Sequence, residues 1–287
     1  MKRRIYTILN TAFALIIIIF MLLFGDTIWF WQHETDYKRI SCLFVAAVVV
    51  QGLKAFKIYF VMFGKNISFK ENIFLYSKTA IVDILCPFGI GEVFRIMNYG
   101  QYIGSYLKGL IAVLIDSFFA MAGFVTVMIW MRDVYSIRIT YMVYGVLVIL
   151  AAIVGFYFAF FQMYRYWKRY FIQYKASKKG NRILEILEWF NGVYSEISLI
   201  IQGRGVVLYI VSVLVYVVEF AGMLSAFDIS GTKQINILVN CYLAGDIYMN
   251  SSNIVMRQYV LVNCWMLIAI WGAGCLLSAG LRGNKHE

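Results

Sequence analysis

From Ile139 to Phe161 the chain reads ITYMVYGVLVILAAIVGFYFAFF, 23 residues without a charge. About 20 apolar residues carry a helix across bilayer hydrocarbon. Five more segments are comparable: Ile5–Phe24, Ile40–Phe63, Leu107–Met131, Val206–Phe227 and Gln258–Ala279. Hydrophobic residues make up 62% of the chain and charged ones 14%, whereas a soluble domain sits near half and a quarter. The expected fold is an all-α integral membrane protein of about six full transmembrane helices, with residues 1–287 as one polytopic domain. Met1–Phe24 has the basic start of a signal peptide. Its apolar run is long for one, and "GDTIWFWQHE" follows in place of a small-residue cleavage site, so it reads as a first span.

Lysine and arginine set the orientation. With the amino terminus in the cytoplasm, 20 basic residues fall inside and six outside, which puts both termini in. The net charge of +11 flanks apolar spans and so points to an anionic membrane surface, not to nucleic acid. Residues 162–204 form the largest cytoplasmic piece, with eight basic residues. Within it Ile183, Leu187, Phe190, Tyr194, Ile197 and Ile201 share one helical face. That pattern predicts an amphipathic helix lying at the interface; a partner-docking helix is the alternative.

Pro87 is the single proline of the chain. It stands beside Gly89 and Gly91 in "IVDILCPFGIGEVFRIMNYG", with Asp83, Glu92 and Arg95 nearby. Proline removes a backbone donor and clashes with the preceding turn. Broken backbone at membrane depth survives only inside protein or beside water. Ile73–Met97 is therefore expected to be two half-helices meeting near Pro87–Gly91 and re-entering from the cytoplasm. The second half would begin with free N–H groups, which favour an anion. Arg95 adds a guanidinium suited to phosphate. Glu92 would hold an ammonium, a sugar hydroxyl or Arg95 itself. The bland alternative is a kinked helix with an internal Glu92–Arg95 pair. Ile235–Tyr248, with Asn240 and Asp246, is a short second candidate for a broken segment.

Asp116 and Glu219 lie inside spans, where one charge costs about 2.5–3.5 kcal/mol on insertion scales. Either is expected to pair with Arg95, Lys54 or Lys57, or to be hydrogen-bonded among helices. Lys54 and Lys57 themselves are expected to snorkel to the cytoplasmic surface. The five cysteines are scattered and the two histidines lie in polar segments, so neither a disulfide framework, a metal site nor a cofactor is expected. "GIGEVF" lacks the third glycine of a dinucleotide loop, and no P-loop or G-x-S-x-G pattern is present, so no enzyme is expected.

The stretch "PFGIGEVFR" resembles the transmembrane region of the lysylphosphatidylglycerol synthase family, also described as a flippase-like domain. "KGLIAVLIDSFFA" with Asp116, and "EWFNGVYSEISLI" leading into "VSVLVYVVEFAG" with Glu219, extend the resemblance over most of the chain. Ser117 stands where the family often has a basic residue. "NCYLAGDIYMNSSN" carries Gly245 alone where many members have a Pro-Gly-Gly break. The resemblance is to the transmembrane part only, without the transferase domain. It implies a multi-pass protein of the bacterial plasma membrane that translocates or handles an anionic or aminoacylated phospholipid or a glycolipid. The expected headgroup site is Asp83, Pro87, Gly89, Gly91, Glu92, Arg95, Asp116 and Glu219. Two other readings stand beside it: a non-transporting membrane partner of a lipid- or glycan-modifying enzyme, and an intramembrane transferase using Asp116 or Glu219 as base.

Overall fold

The structure is a computed structural model and describes residues 8, 10–17, 19, 37–62, 67–86, 90–131, 137–174, 178–228, 231–243 and 254–283. Residues 10–17 are helical. Eight longer helices follow among the described residues: α1 (Tyr37–Met62), α2 (Phe69–Leu85), α3 (Ile90–Ile103), α4 (Tyr106–Trp130), α5 (Ile137–Tyr174), α6 (Lys178–Ala226), α7 (Thr232–Leu243) and α8 (Ile254–Gly283). Five of them, α1, α4, α5, α6 and α8, are long and apolar enough to cross a membrane. Half of the expected first span, Ile5–Phe24, lies outside the described residues.

The break expected near Pro87 falls between α2 and α3: α2 ends on an extended Cys86 (φ −109°, ψ 120°), and residues 87–89 lie outside the described residues. Helix α2 starts on a capping box: Ser68 Oγ accepts from the Glu71 N–H (3.2 Å), and Glu71 accepts from the Ser68 N–H (3.0 Å). It ends at Leu85, and α3 begins at Ile90 and packs back against it. The contact is close: a Cβ built at Gly91 would overlap the Cα of Asp83. Glycine is therefore required there for α3 to start beside α2. Asn72 ties the start of α2 to α1 by donating to the Ala55 carbonyl (2.9 Å), and Tyr99 of α3 donates to Asn72 (3.0 Å). Gly104, at φ +80°, turns the chain from α3 into α4.

Helix α6 runs along α1 and α4, α8 covers α1 and α2, and α5 lies outermost. In lipid, helices gain from close packing of small residues. Gly123 of α4 meets the backbone of Ser212 on α6, 2.7 Å from the site of a Cβ, and Gly222 of α6 faces Ala46 of α1. Leu43, Ala47, Ile58, Met128, Leu208 and Met223 fill the core between these helices. Arg204 of α6 donates to the Phe60 carbonyl near the end of α1 (2.9 Å), where orphan carbonyls need donors.

One expectation is corrected. Residues 183–201 are not a separate interfacial helix: they form the first half of α6, which continues unbroken to Ala226. At 1.5 Å per residue, α5 (38 residues) and α6 (49 residues) reach about 57 and 74 Å. Both exceed the roughly 30 Å of hydrocarbon. They pair antiparallel along the overhang. Tyr157 bonds Ser198 (2.9 Å), the Phe160 ring stacks on Tyr194 (4.9 Å), and Lys168 reaches Glu188 (3.2 Å). The amphipathic stripe of residues 183–201 is thus partly spent on α5. No proline falls between Lys178 and Ala226, and the helix runs across the polar-to-apolar boundary near Val206.

Candidate functional site

Helical spacing gathers the polar residues. On α1, Gln51, Lys54 and Lys57 recur every three residues and so share a face. On α2, Tyr76, Ala80 and Asp83 do the same at spacings of four and three. Glu92 and Arg95 come from the first turns of α3, Asp116 and Ser117 from α4, and Ser212 and Tyr216 from α6. Together these side chains line a cavity of about 190 Å³. Three of its charged walls are basic (Lys54, Lys57, Arg95) and three acidic (Asp83, Glu92, Asp116).

Asp116 is the hub. It is 9% exposed, Arg95 is 8% and Lys57 is 4%. The Lys57 ammonium approaches Asp116 Oδ1 at 3.0 Å and donates to the Asp116 main-chain carbonyl (3.2 Å). Arg95 divides its fork between two acids: Nη2 donates to Asp83 Oδ2 at 2.9 Å, and Nη1 reaches Asp116 Oδ2 at 3.5 Å. Its guanidinium also sits 5.9 Å from the centre of the Tyr76 ring. Neither carboxylate is gripped by both arms, although two parallel bonds to one acid or phosphate are the stronger arrangement. Arg95 Nε and Ser212 Oγ, both buried, have no hydrogen-bond partner among the described residues. Each costs about 1–3 kcal/mol if kept dry, which favours a polar occupant. Of the four paired groups Lys57, Asp116, Arg95 and Asp83, Asp83 is the most exposed, with its side chain at 39%. Glu92 is also exposed and accepts from the Ser117 hydroxyl (3.1 Å).

Glu219 anchors a second branch. It is 4% exposed, accepts from the Tyr259 hydroxyl (2.8 Å) and lies 3.7 Å from the Lys54 ammonium. Asn263 donates to the Tyr259 carbonyl (2.9 Å) and accepts from Gln51 (2.8 Å), which in turn accepts from the Tyr76 hydroxyl (2.6 Å). A polar chain thus runs from Glu219 on α6 through α8 and α1 to Tyr76 on α2, ending at the wall of the charged cavity.

Taking ions out of water costs several kcal/mol each after relaxation, and pairing offsets that only with good geometry. The Lys57–Asp116–Arg95–Asp83 network is incompletely paired by that standard. It can exchange an internal partner for an external one: a phosphate suits Arg95 and Lys57, and an amine or hydroxyl suits the carboxylates.

Of the predicted site residues, Asp83, Glu92, Arg95 and Asp116 line one cavity, and Gly91 sets the close approach behind it. Glu219 is held one residue away, through Lys54. Pro87 and Gly89 lie outside the described residues, as do Gly245 and Asp246 of the second candidate break. The alternative of an internal Glu92–Arg95 pair does not hold: Arg95 pairs with Asp83 and Asp116, because α3 starts beside α2 and turns Arg95 inward. Lys57 does not snorkel: its side chain is 4% exposed and bound to Asp116, since α1 is enclosed by α4 and α6. Lys54, with 33% of its side chain exposed, is paired with Glu219. Gln51, Tyr76, Ser212, Tyr259 and Asn263 were not singled out from the sequence. Amides and hydroxyls within apolar spans were the available signal, but they are too common to pick out alone. No family model, curated protein or solved structure matches this chain.

Proposed function

We propose that this chain is a multi-pass membrane protein that admits the polar headgroup of a membrane lipid into its helix bundle, in the manner of a flippase-like protein. The observation that carries this reading is the partly open, charge-balanced cavity in which Arg95 is shared between Asp83 and Asp116. A lipid phosphate entering past the exposed Asp83 takes both arms of Arg95, with Lys57 adjacent. The displaced carboxylate then meets an amine or hydroxyl of the same headgroup. Equal numbers of lining acids and bases favour a zwitterionic or polyhydroxylated headgroup over a purely anionic one, because such a ligand leaves no uncompensated charge behind. The basic-residue bias supports a cytoplasmic placement of both termini. Movement of the headgroup would be passive or ion-coupled, with protonation of a buried acid as one form of coupling.

The test is reconstitution into liposomes carrying fluorescent phosphatidylethanolamine or an aminoacylated phospholipid, read by dithionite quenching. Faster exchange between leaflets is expected, with loss in Arg95→Gln and in Asp116→Asn. Exchange equal to protein-free liposomes would remove the transport claim. A second reading, a non-transporting membrane partner of a lipid- or glycan-modifying enzyme, draws on the α5–α6 overhang. Exposed Tyr166, Trp167, Trp189 and Phe190 there sit among basic residues. Co-purification of such an enzyme, lost when residues 163–174 and 178–192 are replaced by a short linker, would support it.

A further inference from the structure

A second groove lies behind the charged cavity, between α1, α2 and α8. It measures about 170 Å³ and is formed by Val48, Gly52, Phe69, Ile73, Met266 and Ile270 with their neighbours. An apolar cavity of about 150 Å³ stays dry and takes benzene, so this groove has room for about six carbons. Val48, Gly52 and Phe69 are exposed, so the groove opens on the outer flank of the bundle. Its polar groups are already satisfied inside the protein: Tyr76 donates to Gln51, Gln51 to Asn263, and the Ser77 hydroxyl to the Phe74 carbonyl (3.0 Å). A polar ligand would gain nothing there, whereas an alkyl chain gains about 0.8 kcal/mol per buried methylene when it comes from water and fills space that lipid packing otherwise leaves.

Gln51 and Tyr76 line both the groove and the charged cavity. Their side chains are joined by the hydrogen bond from the Tyr76 hydroxyl to Gln51 (2.6 Å). We propose that the groove seats the upper carbons of one hydrocarbon chain of the same amphiphile whose head enters the charged cavity, with the Gln51–Tyr76 bridge as the partition at its glycerol region. This rests on the headgroup reading above and adds where the tail goes. The occupant is a lipid chain, and the alternative of a lipid surface held only at the bundle's outer flank is separable.

The full chain is placed in nanodiscs of phosphatidylethanolamine and phosphatidylglycerol. A phosphatidylethanolamine with a diazirine on the acyl carbons nearest the ester is added, and cross-links are mapped by mass spectrometry. A Cβ at Gly52 has nothing within 4 Å, so a side chain can begin there, and Gly52→Phe is the variant chosen to fill the groove. Ile270→Trp narrows it from α8 and serves if the first variant elutes as aggregate. Glycerophosphoethanolamine, which has the head and no chains, reports the head site separately by thermal shift. The expected result is labelling of Gly52, Ile73 and Met266, lost in Gly52→Phe and in Ile270→Trp and reduced in Arg95→Gln. The chainless analogue should still bind both groove variants. Labelling spread along the outer face of α5 without enrichment at the groove, with the analogue still bound, would overturn the tail seat and leave the headgroup reading standing. Groove labelling indifferent to Arg95→Gln would overturn the claim of a single amphiphile. An analogue that binds neither wild type nor variant would overturn the headgroup reading and this inference with it.

Discussion

Replacing Asp116 with leucine should destabilise the protein more than any other single substitution in the cavity, and adding Lys57→Met should recover much of the loss. The Lys57 and Asp116 charges are 3.0 Å apart. At an effective dielectric of about 20 their attraction is roughly 5.5 kcal/mol, comparable to the desolvation of two ions at several kcal/mol each. The pair is therefore close to neutral as a unit. Removing Asp116 alone strands the Lys57 ammonium, 4% exposed, and leaves Arg95 with Asp83 only. Breaking a buried pair in this way costs about 3–5 kcal/mol. The double variant is apolar on both sides and should fall within about 2 kcal/mol of wild type. Unfolding in detergent, followed by intrinsic fluorescence for wild type, both single variants and the double variant, gives the coupling energy. A coupling under about 0.5 kcal/mol would refute the reasoning, since the two charges would then not depend on each other.

Gly123→Ala should cost about 1–3 kcal/mol by overpacking, because its Cβ would stand 2.7 Å from the Ser212 backbone carbon; the same unfolding assay reads it. Ser68→Ala should cost about 1 kcal/mol by loss of the α2 cap, visible as faster exchange of the Glu71 amide. Hydrogen bonds from Tyr102 and Ser68 hold the Glu71 carboxyl below its ordinary value of 4.5. That contribution is present above pH 4.5 and is lost as pH falls through the lowered value, so protection at the start of α2 should decline in acid. Single cysteines at Ile172 and Glu185, in a background without other cysteines, should react with an impermeant maleimide from the cytoplasmic side only; reaction from outside would reverse the orientation.

Much of the helical pattern could be read from residue order alone. Apolar runs of span length mark α1, α4, α5, α6 and α8 because hydrocarbon thickness imposes that length. The break between α2 and α3 was visible because Pro87 and its glycines have few other uses in such a chain. Side-chain partners were harder. Asp116 was visible as an intramembrane acid, but its choice of Lys57 and Arg95 depends on how α1, α3 and α4 cross. Lys57 misleads for the same reason: near a helix end the stem suffices to reach water, unless neighbouring helices close over it. The length of α6 was hidden because a helix need not stop where its sequence turns from amphipathic to apolar.

The most direct test of the central claim is native mass spectrometry of the purified chain released from mild detergent. The account predicts that wild type keeps a bound phospholipid with an amine or hydroxylated headgroup after delipidation, and that Arg95→Gln loses it while remaining folded. Equal retention by both proteins, or none by either, would contradict it.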